Sequence, residues 1–599
     1  MEQKKARKAG IMDILRSPYA HRFFKKYKWS YLLGMAILIV IDSAQTEVPR
    51  IVGQVIDGIK YTTIDESGFT SAIIRMAVIA VLVLAGRIGW RYCIFGAARK
   101  IERDMRNDLF SHLNTLPVSY FHEHNAGEIM AYMTNDIEAV RMTFAATIMM
   151  GLDMITIGVT TLLKMIFQID FRLSLVTVIP LSMVAFVSMF VGREMHKRFT
   201  KRQEVFAKVS DFVQEKLSGI KVIKAFVQEG KEIAAFEAVN SESRTANIRD
   251  AKVQAFMFPF MHMIAGCSMA IAIAYGGYIA ILGRITVGDF SAFVQYLNML
   301  VWPIASIGRI INVVTRGSAS LKRVENVLHT ESDIKDALPE IATTEPVKGE
   351  IEARELTFRY PGTDRDVLKD ISFHIEPGQT LGIVGRTGAG KTTLVNLMLR
   401  IIDPDDDMLY IGGREIHTIP LQTLRASTGY VMQDNFLFSD TIRNNIAFGD
   451  HTKSFEEIQQ AAKMACVHDN IVDSPDGYET MVGERGVSLS GGQKQRISIA
   501  RALILDPEIL ILDDALSAVD TDTEEKILEN LKTLRHGKTN VIIAHRISTL
   551  QNADKIIVID GSRIIEEGNH EELVAQGGMY ADLYRRQLLE KMKKEEYKL

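Results

Sequence analysis

Residues 487–496 read Val487-Ser488-Leu489-Ser490-Gly491-Gly492-Gln493-Lys494-Gln495-Arg496. A chain does not need this pattern in order to fold. The Ser490 hydroxyl and the backbone N–H groups of the two glycines stand at the start of a helix that we predict to run through Ile497 to Leu503. The N-terminus of a helix carries unpaired N–H donors and partial positive charge. The stretch therefore predicts a contact with phosphate.

A second phosphate-binding pattern lies upstream, where an apolar strand at 381–385 leads into a glycine-rich loop. This phosphate loop reads Gly385-Arg386-Thr387-Gly388-Ala389-Gly390-Lys391-Thr392-Thr393 and opens a helix. It satisfies G-x4-G-K-[ST] in the strand–loop–helix context that the motif requires. The glycines let backbone N–H groups surround the phosphates, Lys391 adds a positive charge, and the Thr392 hydroxyl can ligate Mg²⁺. We therefore predict that the loop binds ATP.

Two carboxylates follow another apolar strand at 509–512, and the first of them, Asp513, is predicted to hold Mg²⁺ through water. From residue 349 onwards short strand patterns alternate with helical ones, which predicts an α/β P-loop nucleotide-binding domain at 349–599. A Thr/Glu/Pro patch ends the stretch before it, so we interpret residues 319–348 as a linker.

Apolar runs dominate the first half, although the mean hydropathy of the whole chain is only +0.06. Each run is close to the ~20 residues that cross a bilayer as a helix. The alternative is a soluble helical bundle, but six apolar runs of this length would be unusual in a soluble protein. We predict an all-α six-span transmembrane domain at 30–318, preceded by a cytoplasmic segment with an elbow helix at 1–29. The runs occupy residues 30–48, 69–89, 143–167, 173–191, 256–282 and 290–314.

The gaps between the runs predict the orientation. The gaps at 95–142 and 192–255 are charged and rich in helix formers, and as helical hairpins they would project roughly 35–45 Å from the membrane. These gaps and the N-terminus carry most of the Lys and Arg, so the positive-inside rule places them, and both termini, in the cytoplasm. No small-residue cleavage site follows the first run, so we predict no removable signal peptide. The net charge of −3 gives no bias towards nucleic acid.

Charged residues inside the runs are costly in lipid and usually face a partner or a cavity. Asp42 and Glu47 lie near the outer end of the first run, and Asp153 and Lys164 lie in the third. Ion pairing between helices is one interpretation. The other is that Asp42 and Glu47 line an outer gate or attract cationic substrates.

The motifs and their order resemble the ATP-binding cassette (ABC) family, and six spans followed by one cassette resemble one half of an ABC exporter. Residues 120–136 and 219–229 are similar to the intracellular loops of these exporters, where short coupling helices press on the ATPase domains. Residues 283–290 resemble the turn before the sixth span, and residues 482–486 resemble an exporter-specific segment that touches the partner's coupling helix.

The resemblance implies a dimer, because the signature at Leu489, Ser490, Gly491, Gly492 and Gln493 would cap the ATP held by a partner cassette rather than this chain's own nucleotide. The partner is expected to be a second half-exporter.

The resemblance also implies roles at the nucleotide held by this chain. Gln433 would sense Mg²⁺ and the attacking water, and His545 would contact the γ-phosphate as the switch histidine. Tyr360 would stack on adenine. Ser517 and Asp520 would belong to the D-loop at 517–520.

One residue departs from the family's pattern. The residue after the Mg²⁺ carboxylate is normally Glu, which polarises the attacking water, whereas here it is Asp514. One methylene less withdraws the carboxylate by roughly 1.5 Å, and a misplacement of about 1 Å can cost about 100-fold in rate. We expect good ATP binding and slow hydrolysis, as in one subunit of a heterodimeric bacterial multidrug exporter. A homodimer with slow turnover, or an engineered change of Glu to Asp, would also account for Asp514.

The expected function is ATP-driven efflux of hydrophobic or amphipathic compounds across the cytoplasmic membrane by alternating access. A lipid or peptide exporter keeps the same fold with another cargo. A subunit that binds ATP and gates a partner without transporting is an alternative of a different class.

Overall fold

The computed structural model describes residues 14, 16–336, 345, 347–483 and 489–596. The chain divides into two compact units. Unit 1 comprises Met1–Thr115 and His124–Thr330, and unit 2 comprises Leu116–Glu123 and Glu331–Leu599.

Unit 1 is entirely helical in its described part. Two of its long helices, which start at Glu66 and Phe171, have polar caps: the Asp65 side chain accepts from Gly68 N, and the Asp170 side chain accepts from Leu173 N. π-helical turns interrupt several of them, at Tyr132–Asp136, Thr143–Thr147, Met165–Ile169 and Ala272–Gly276. The α-helices are α1 (Pro18–Gln45), α2 (Val48–Lys60), α3 (Glu66–Leu113), then, after the unit 2 helix α4 (Val118–Glu123), α5 (Ala126–Ala131), α6 (Ile137–Met142), α7 (Ile148–Lys164), α8 (Phe171–Ser218), α9 (Ile220–Ala225), α10 (Glu229–Ile271), α11 (Gly277–Ile281) and α12 (Val287–Leu328).

Five helical segments of the described residues are long and apolar enough to cross a membrane: Pro18–Lys60, Glu66–Leu113, Ala126–Ile169, His262–Ile281 and Val287–Leu328. They contain four of the six apolar runs and cover most of a fifth, the run at 256–282. The remaining run, at 173–191, lies in α8, whose apolar stretch Phe171–Met183 is shorter. The side chains at 184–196 lie outside what the structure describes, so a span at 173–191 stays a prediction.

Both segments that resemble intracellular loops include short helices: 120–136 includes the end of α4 and all of α5, and 219–229 includes α9. α9 lies between the long helices α8 and α10, which pack against each other along unit 1. The last helix of unit 1, α12, continues to Leu328, past the predicted boundary at 318.

Unit 2 contains two sheets. The smaller has four strands in the order β2-β1-β4-β5, and the larger has six in the order β10-β9-β3-β8-β7-β6. The central strands β3, β7 and β8 consist almost wholly of buried residues, as is typical of parallel strands covered on both faces. The strands are β1 (Ile351–Phe358), β2 (Leu368–Ile375), β3 (Thr380–Gly385), β4 (Leu409–Ile411), β5 (Arg414–Glu415), β6 (Thr428–Val431), β7 (Ile509–Asp513), β8 (Thr539–Ile543), β9 (Lys555–Asp560) and β10 (Arg563–Gly568).

Helices connect these strands, and the two that matter most for the site start at Lys391 and Gly491, in the two predicted phosphate-binding stretches. The remaining α-helices of unit 2 are α13 (Lys391–Met398), α14 (Leu421–Ala426), α15 (Ile442–Ile446), α16 (Phe455–Met464), α17 (His468–Val472), α18 (Gly491–Leu503), α19 (Thr521–Leu534), α20 (Ile547–Leu550), α21 (His570–Gln576) and α22 (Met579–Glu596).

Candidate functional site

Four neighbouring parallel strands, β3, β8, β7 and β6, end at the same edge of the larger sheet. The phosphate loop follows β3, and His545 comes shortly after β8. Asp513 ends β7, and Gln433 comes shortly after β6. Ligands of open α/β sheets bind at the carboxyl ends of the strands. The strand order therefore gathers residues that are far apart in the sequence.

A cavity of ≈ 280 Å³ opens at this edge. It is walled in part by the apolar side chains of Val367 and Ile543. The structure thus brings together most of the residues that were predicted to bind ATP and Mg²⁺ and to act in hydrolysis. Those that line the cavity are Thr387, Gly388, Ala389, Gly390, Lys391, Thr392, Thr393, Gln433, Asp513, Asp514 and His545.

The phosphate loop depends on its glycines. A Cβ on Gly385 would lie 2.2 Å from the carbonyl oxygen of Ile559. Gly390 has a φ of +98° and precedes the first residue of α13. The Lys391 ammonium is buried and donates to the carbonyls of Gly385 (2.9 Å) and Arg386 (3.0 Å). Burial lowers the pKa of Lys391, and the carboxylates of Asp513 and Asp514 oppose that effect.

Asp513 fits the predicted role of a Mg²⁺ carboxylate. Its side chain is buried, and within the described chain its Oδ2 atom has no hydrogen-bond partner. Burial raises the pKa of Asp513, while the Thr392 hydroxyl favours the charged form. A buried carboxylate oxygen without a partner is costly unless a cation or donor joins it. The oxygen donors of Asp513, Thr392 and Gln433 are the type that Mg²⁺ prefers.

Asp514 adopts a left-handed backbone conformation, with a φ of +49°. Its N–H donates to the Ile543 carbonyl at 3.0 Å, which ties it to the end of β8. Asp tolerates this conformation better than most residues. The bend turns the chain away from β7, and the half-buried Asp514 side chain lies beside the phosphate loop in the cavity.

Two predicted ATP-binding side chains lie beside the cavity rather than in its lining. The Tyr360 hydroxyl is 3.2 Å from Thr393 Oγ1, which places the aromatic ring next to the first turn of α13. Arg386 is exposed, and its Nε atom lies 3.8 Å from Asp560 Oδ1. Gly385 forms the end of β3 below the loop.

The signature forms the N-terminus of α18, as predicted. The Ser490 hydroxyl accepts from Gln493 N, and Gln493 Oε1 accepts from Ser490 N at 2.9 Å, which completes a capping box. A Cβ on Gly492 would lie 2.9 Å from the Ala518 carbonyl oxygen, so the signature packs against the D-loop. Residues 484–488, which include part of the exporter-like segment and the start of the signature stretch, lie outside the described residues.

Residues 489–493 do not line the cavity, within the described part of unit 2. The signature and the phosphate loop of this chain are thus separate features of the same unit.

Gln495 joins the signature helix to the D-loop, a contact that the sequence analysis did not identify. Its Nε2 atom donates to Ser517 Oγ (3.0 Å) and, more weakly, to the Asp514 carbonyl (3.4 Å). Its Oε1 atom accepts from Ala518 N at 2.9 Å. Asp520, at the end of the D-loop, caps α19 by accepting from Thr523 N at 3.0 Å.

Arg546, the residue after the predicted switch histidine, was also missed. Its guanidinium donates to the carbonyls of Ser517 (3.3 Å) and Val519 (3.2 Å) and pairs with the buried carboxylate of Glu524 at 2.5 Å. Its position next to His545 in sequence is the signal that could have indicated it. Nothing in the sequence marks Glu524 as a partner of Arg546, because it lies in an ordinary amphipathic helix.

In unit 1 the two residues predicted for a gate both have partners. The buried Asp42 carboxylate accepts from the Thr156 hydroxyl of α7. Glu47 pairs with Lys164 at 2.7 Å, also on α7. These contacts match the interpretation that charges within the runs link helices, and a role at a gate stays a prediction.

Comparisons with known proteins cover both units. The family described as "ABC transporter transmembrane region" matches residues 31–304, and the family described as "ABC transporter" matches residues 368–517. The "Probable multidrug resistance ABC transporter ATP-binding/permease protein YheI" of Bacillus subtilis is 38% identical over 567 residues, 95% of this chain and 97% of that protein. The "Multidrug resistance-like ATP-binding protein MdlA" of Escherichia coli is 38% identical over 576 residues, 95% of this chain and 96% of that protein.

A solved structure agrees along nearly the whole length. It is described as "Structure of a bacterial Atm1-family ABC exporter with ATP bound", and it matches 94% of this chain and 98% of its own with a TM-score of 0.78 and 25% identity. This protein therefore belongs to the ABC transporter family, as a multi-pass membrane exporter in which a helical transmembrane domain is fused to an ATPase domain that couples ATP hydrolysis to transport.

Proposed function

We propose that this chain is one subunit of a heterodimeric exporter that moves hydrophobic or amphipathic compounds out across the cytoplasmic membrane, with both termini in the cytoplasm. The observation that carries the proposal is Asp514. By resemblance it stands where the family has its catalytic Glu, and it lines the same cavity as Lys391, Asp513 and His545.

ATP binding in this proposal relies on the phosphate loop. The Lys391 ammonium, which donates to loop carbonyls at 2.9 and 3.0 Å, would transfer these hydrogen bonds to phosphate oxygens. Thr392, Asp513 and Gln433 would hold Mg²⁺, which would neutralise charge on the phosphates. Tyr360 would stack on adenine beside Thr393.

Hydrolysis at this site would be slow because the Asp514 side chain is too short. Its backbone is tied to Ile543 and, through its carbonyl, to Ser517, so the main chain has little freedom to bring the carboxylate forward. A shortfall of roughly 1.5 Å in a group that must orient water costs about 100-fold in rate. His545 would still contact the γ-phosphate from the end of β8.

The separation of signature and cavity supports a partner. Residues 489–493 present a capped helix N-terminus away from this chain's own phosphate loop, and such a terminus suits an anion. Residues 489–493 would therefore complete the ATP site of the other subunit, which would supply the hydrolytic Glu. A few kcal/mol of difference in ATP affinity between the closed and open states is enough to shift the transporter between them.

The substrate class is proposed from the relatives, two of which carry multidrug resistance in their names. Asp42 and Glu47, which lie near the predicted outer end of the first span, would influence the outer gate or the preference for cationic compounds. Asp42→Asn should change the transport of a cationic dye into inside-out vesicles and leave ATP binding unchanged. Unchanged dye transport would count against this role.

The test of the proposed asymmetry is the Asp514→Glu variant. The purified full chain, reconstituted as two copies per nanodisc so that each copy's signature closes the other copy's cavity, should hydrolyse ATP slowly. Asp514→Glu should raise kcat by about 10- to 100-fold, because the carboxylate regains its reach. Asp514→Ala is the control and should not exceed the wild type.

Brisk hydrolysis by the wild-type chain alone would contradict the proposal, and so would an unchanged kcat in Asp514→Glu. Co-purification of two differently tagged copies from the native membrane, with no second half-exporter, would favour the homodimer. Nucleotide binding without movement of any dye, lipid or peptide in vesicles would favour a regulatory subunit.

A further inference from the structure

The C-terminal helix α22 is fixed at its first turn. Glu566, on the edge strand β10, accepts from the backbone N–H groups of Met579 and Tyr580 through its two carboxylate oxygens. An acidic group at a helix N-terminus satisfies unpaired donors and complements the helix dipole. The Tyr580 side chain is fully buried, and its hydroxyl lies 2.8 Å from His570 Nδ1. The start of α22 is therefore held by both polar and apolar contacts.

Two turns further along, Gln587 lies on the same face of α22 as Tyr580. Its amide contacts the backbone around the switch histidine in two places. Gln587 Nε2 donates to the His545 carbonyl at 2.8 Å, and Gln587 Oε1 accepts from Ile547 N at 2.8 Å. One side chain thus brackets the residue between them, Arg546.

Among the described residues, the Ile547 N–H has Gln587 as its hydrogen-bond partner. Ile547 is the first residue of α20, and the residue before it, Arg546, makes no side-chain cap. Unpaired N–H groups at the start of a helix need a partner. Gln587 supplies that partner from a distant part of the chain.

The switch segment, residues 544–547, is held on its other side by different contacts. Ala544 N donates to the Ile383 carbonyl of β3, and the Arg546 guanidinium reaches the D-loop and Glu524. Within the part of the chain that the structure describes, Gln587 provides the hydrogen bond to the backbone of His545 itself. His545 is exposed, so few packing contacts fix its position otherwise.

We propose that Gln587 is a positioning residue for His545, which fixes the backbone of the switch segment so that the imidazole is presented to the γ-phosphate. The inference rests on the role proposed for His545 and holds for either dimer type. A positioned group loses about 100-fold in rate when it is misplaced by about 1 Å. Gln587 therefore acts on turnover and not on ATP affinity, since the phosphate loop that binds ATP lies on another strand.

The chemistry of the amide makes the proposal specific. Gln587 both donates and accepts, and Glu can only accept when it is ionised. Gln587→Glu keeps a cap for Ile547 but places an unpaired negative charge against the His545 carbonyl. Gln587→Ala removes both contacts.

The experiment compares these variants in the full chain in nanodiscs, in the wild-type and Asp514→Glu backgrounds. Gln587→Ala and Gln587→Glu should lower kcat by about tenfold or more with KM for ATP unchanged. Arg586→Ala, an exposed neighbour on the same helix, is the matched control and should retain full kcat. Gln587→Glu keeps the experiment decisive if Gln587→Ala does not fold.

A double-mutant cycle separates positioning from general loss of stability. His545→Ala combined with Gln587→Glu should have the same kcat as His545→Ala alone. Full kcat in Gln587→Glu overturns the proposal. A further, additive loss in the double variant overturns it too, as does an unchanged kcat in His545→Ala.

Failure of the Gln587 proposal can be distinguished from failure of the proposed function. If Asp514→Glu leaves kcat unchanged, the idea of a weakened site fails, whereas the ratio between each Gln587 variant and its own parent can still be measured.

Discussion

Gly390 illustrates how single residues determine whether the phosphate loop can form. Its φ is +98°, and a Cβ there would lie 2.7 Å from Leu368 Cδ2 and 2.9 Å from the Val367 carbonyl oxygen. Gly537 has a similar φ of +84°, but a Cβ there meets nothing within 4 Å. Comparing substitutions at the two glycines therefore separates the effect of backbone strain from the effect of steric overlap.

Gly390→Ala should weaken ATP binding, and Gly537→Ala should preserve it. Both variants carry strain of about 1–3 kcal/mol, but only Gly390→Ala also forces the loop away from β2. A fall in ATP affinity of at least about tenfold, or about 1.4 kcal/mol, is expected for Gly390→Ala by equilibrium binding. Equal affinities in the two variants would show that the overlap does not matter.

At the scale of elements, the pair Arg546–Glu524 joins the segment after β8 to α19 and the D-loop. The two side chains differ in burial, since Glu524 is 3% exposed and Arg546 is 42% exposed. A buried charge left without its partner is costly, whereas an exposed guanidinium can turn to water.

Removing Arg546 should therefore destabilise the protein more than removing Glu524. Arg546→Ala leaves the Glu524 carboxylate buried with the Thr549 hydroxyl as its remaining donor and should cost about 3 kcal/mol. Glu524→Ala should cost clearly less, and the double variant should melt higher than Arg546→Ala. The apparent melting temperatures of the detergent-solubilised chains measure this order, with the exposed neighbour Glu525→Ala as the control. The reverse order would contradict the explanation.

Local patterns in the sequence predicted the elements around the nucleotide. The strand–loop–helix at 381–393 was foreseen because its glycines and its apolar run form one continuous motif. The start of α18 was foreseen from Ser490 and the glycines, and the structure adds a capping box with Gln493.

The contacts that join these elements could not be predicted. Gln587 reaches His545 across 42 positions of sequence, and Glu524 meets Arg546 across 22. Neither pairing leaves a periodic or compositional pattern, because only the strand order and helix packing bring the partners together. The apolar run at 173–191 shows a related limit, since hydropathy indicates a span but not where the long helix α8 continues beyond it.

For the whole molecule, membrane insertion explains why so many large apolar side chains are exposed in unit 1. Val81 is 66% exposed in α3, and Leu534 is 52% exposed at the end of α19 in unit 2. The two side chains are similarly exposed, but their surroundings differ. Val81 lies in a segment that can cross the membrane and faces lipid, whereas Leu534 faces water.

Val81→Arg should prevent stable insertion, and Leu534→Arg should be tolerated. Arg near the centre of a span costs about 2.5–3.5 kcal/mol, whereas Arg at an exposed helix end in water costs little. The amount of full-length chain extracted from washed membranes by detergent measures both. Equal yields of the two variants would argue that residue 81 does not lie in lipid.

The side chain of Gln495 couples the signature helix α18 to the backbone that follows Asp514. It grips Ser517 and Ala518 while standing on the helix whose first turn is proposed to face the neighbouring subunit's nucleotide. A tilt of α18 on departure of the neighbour's ATP would shift the backbone around Asp514. Release of one nucleotide would thereby disturb the carboxylate beside the other, even though each lies in its own pocket.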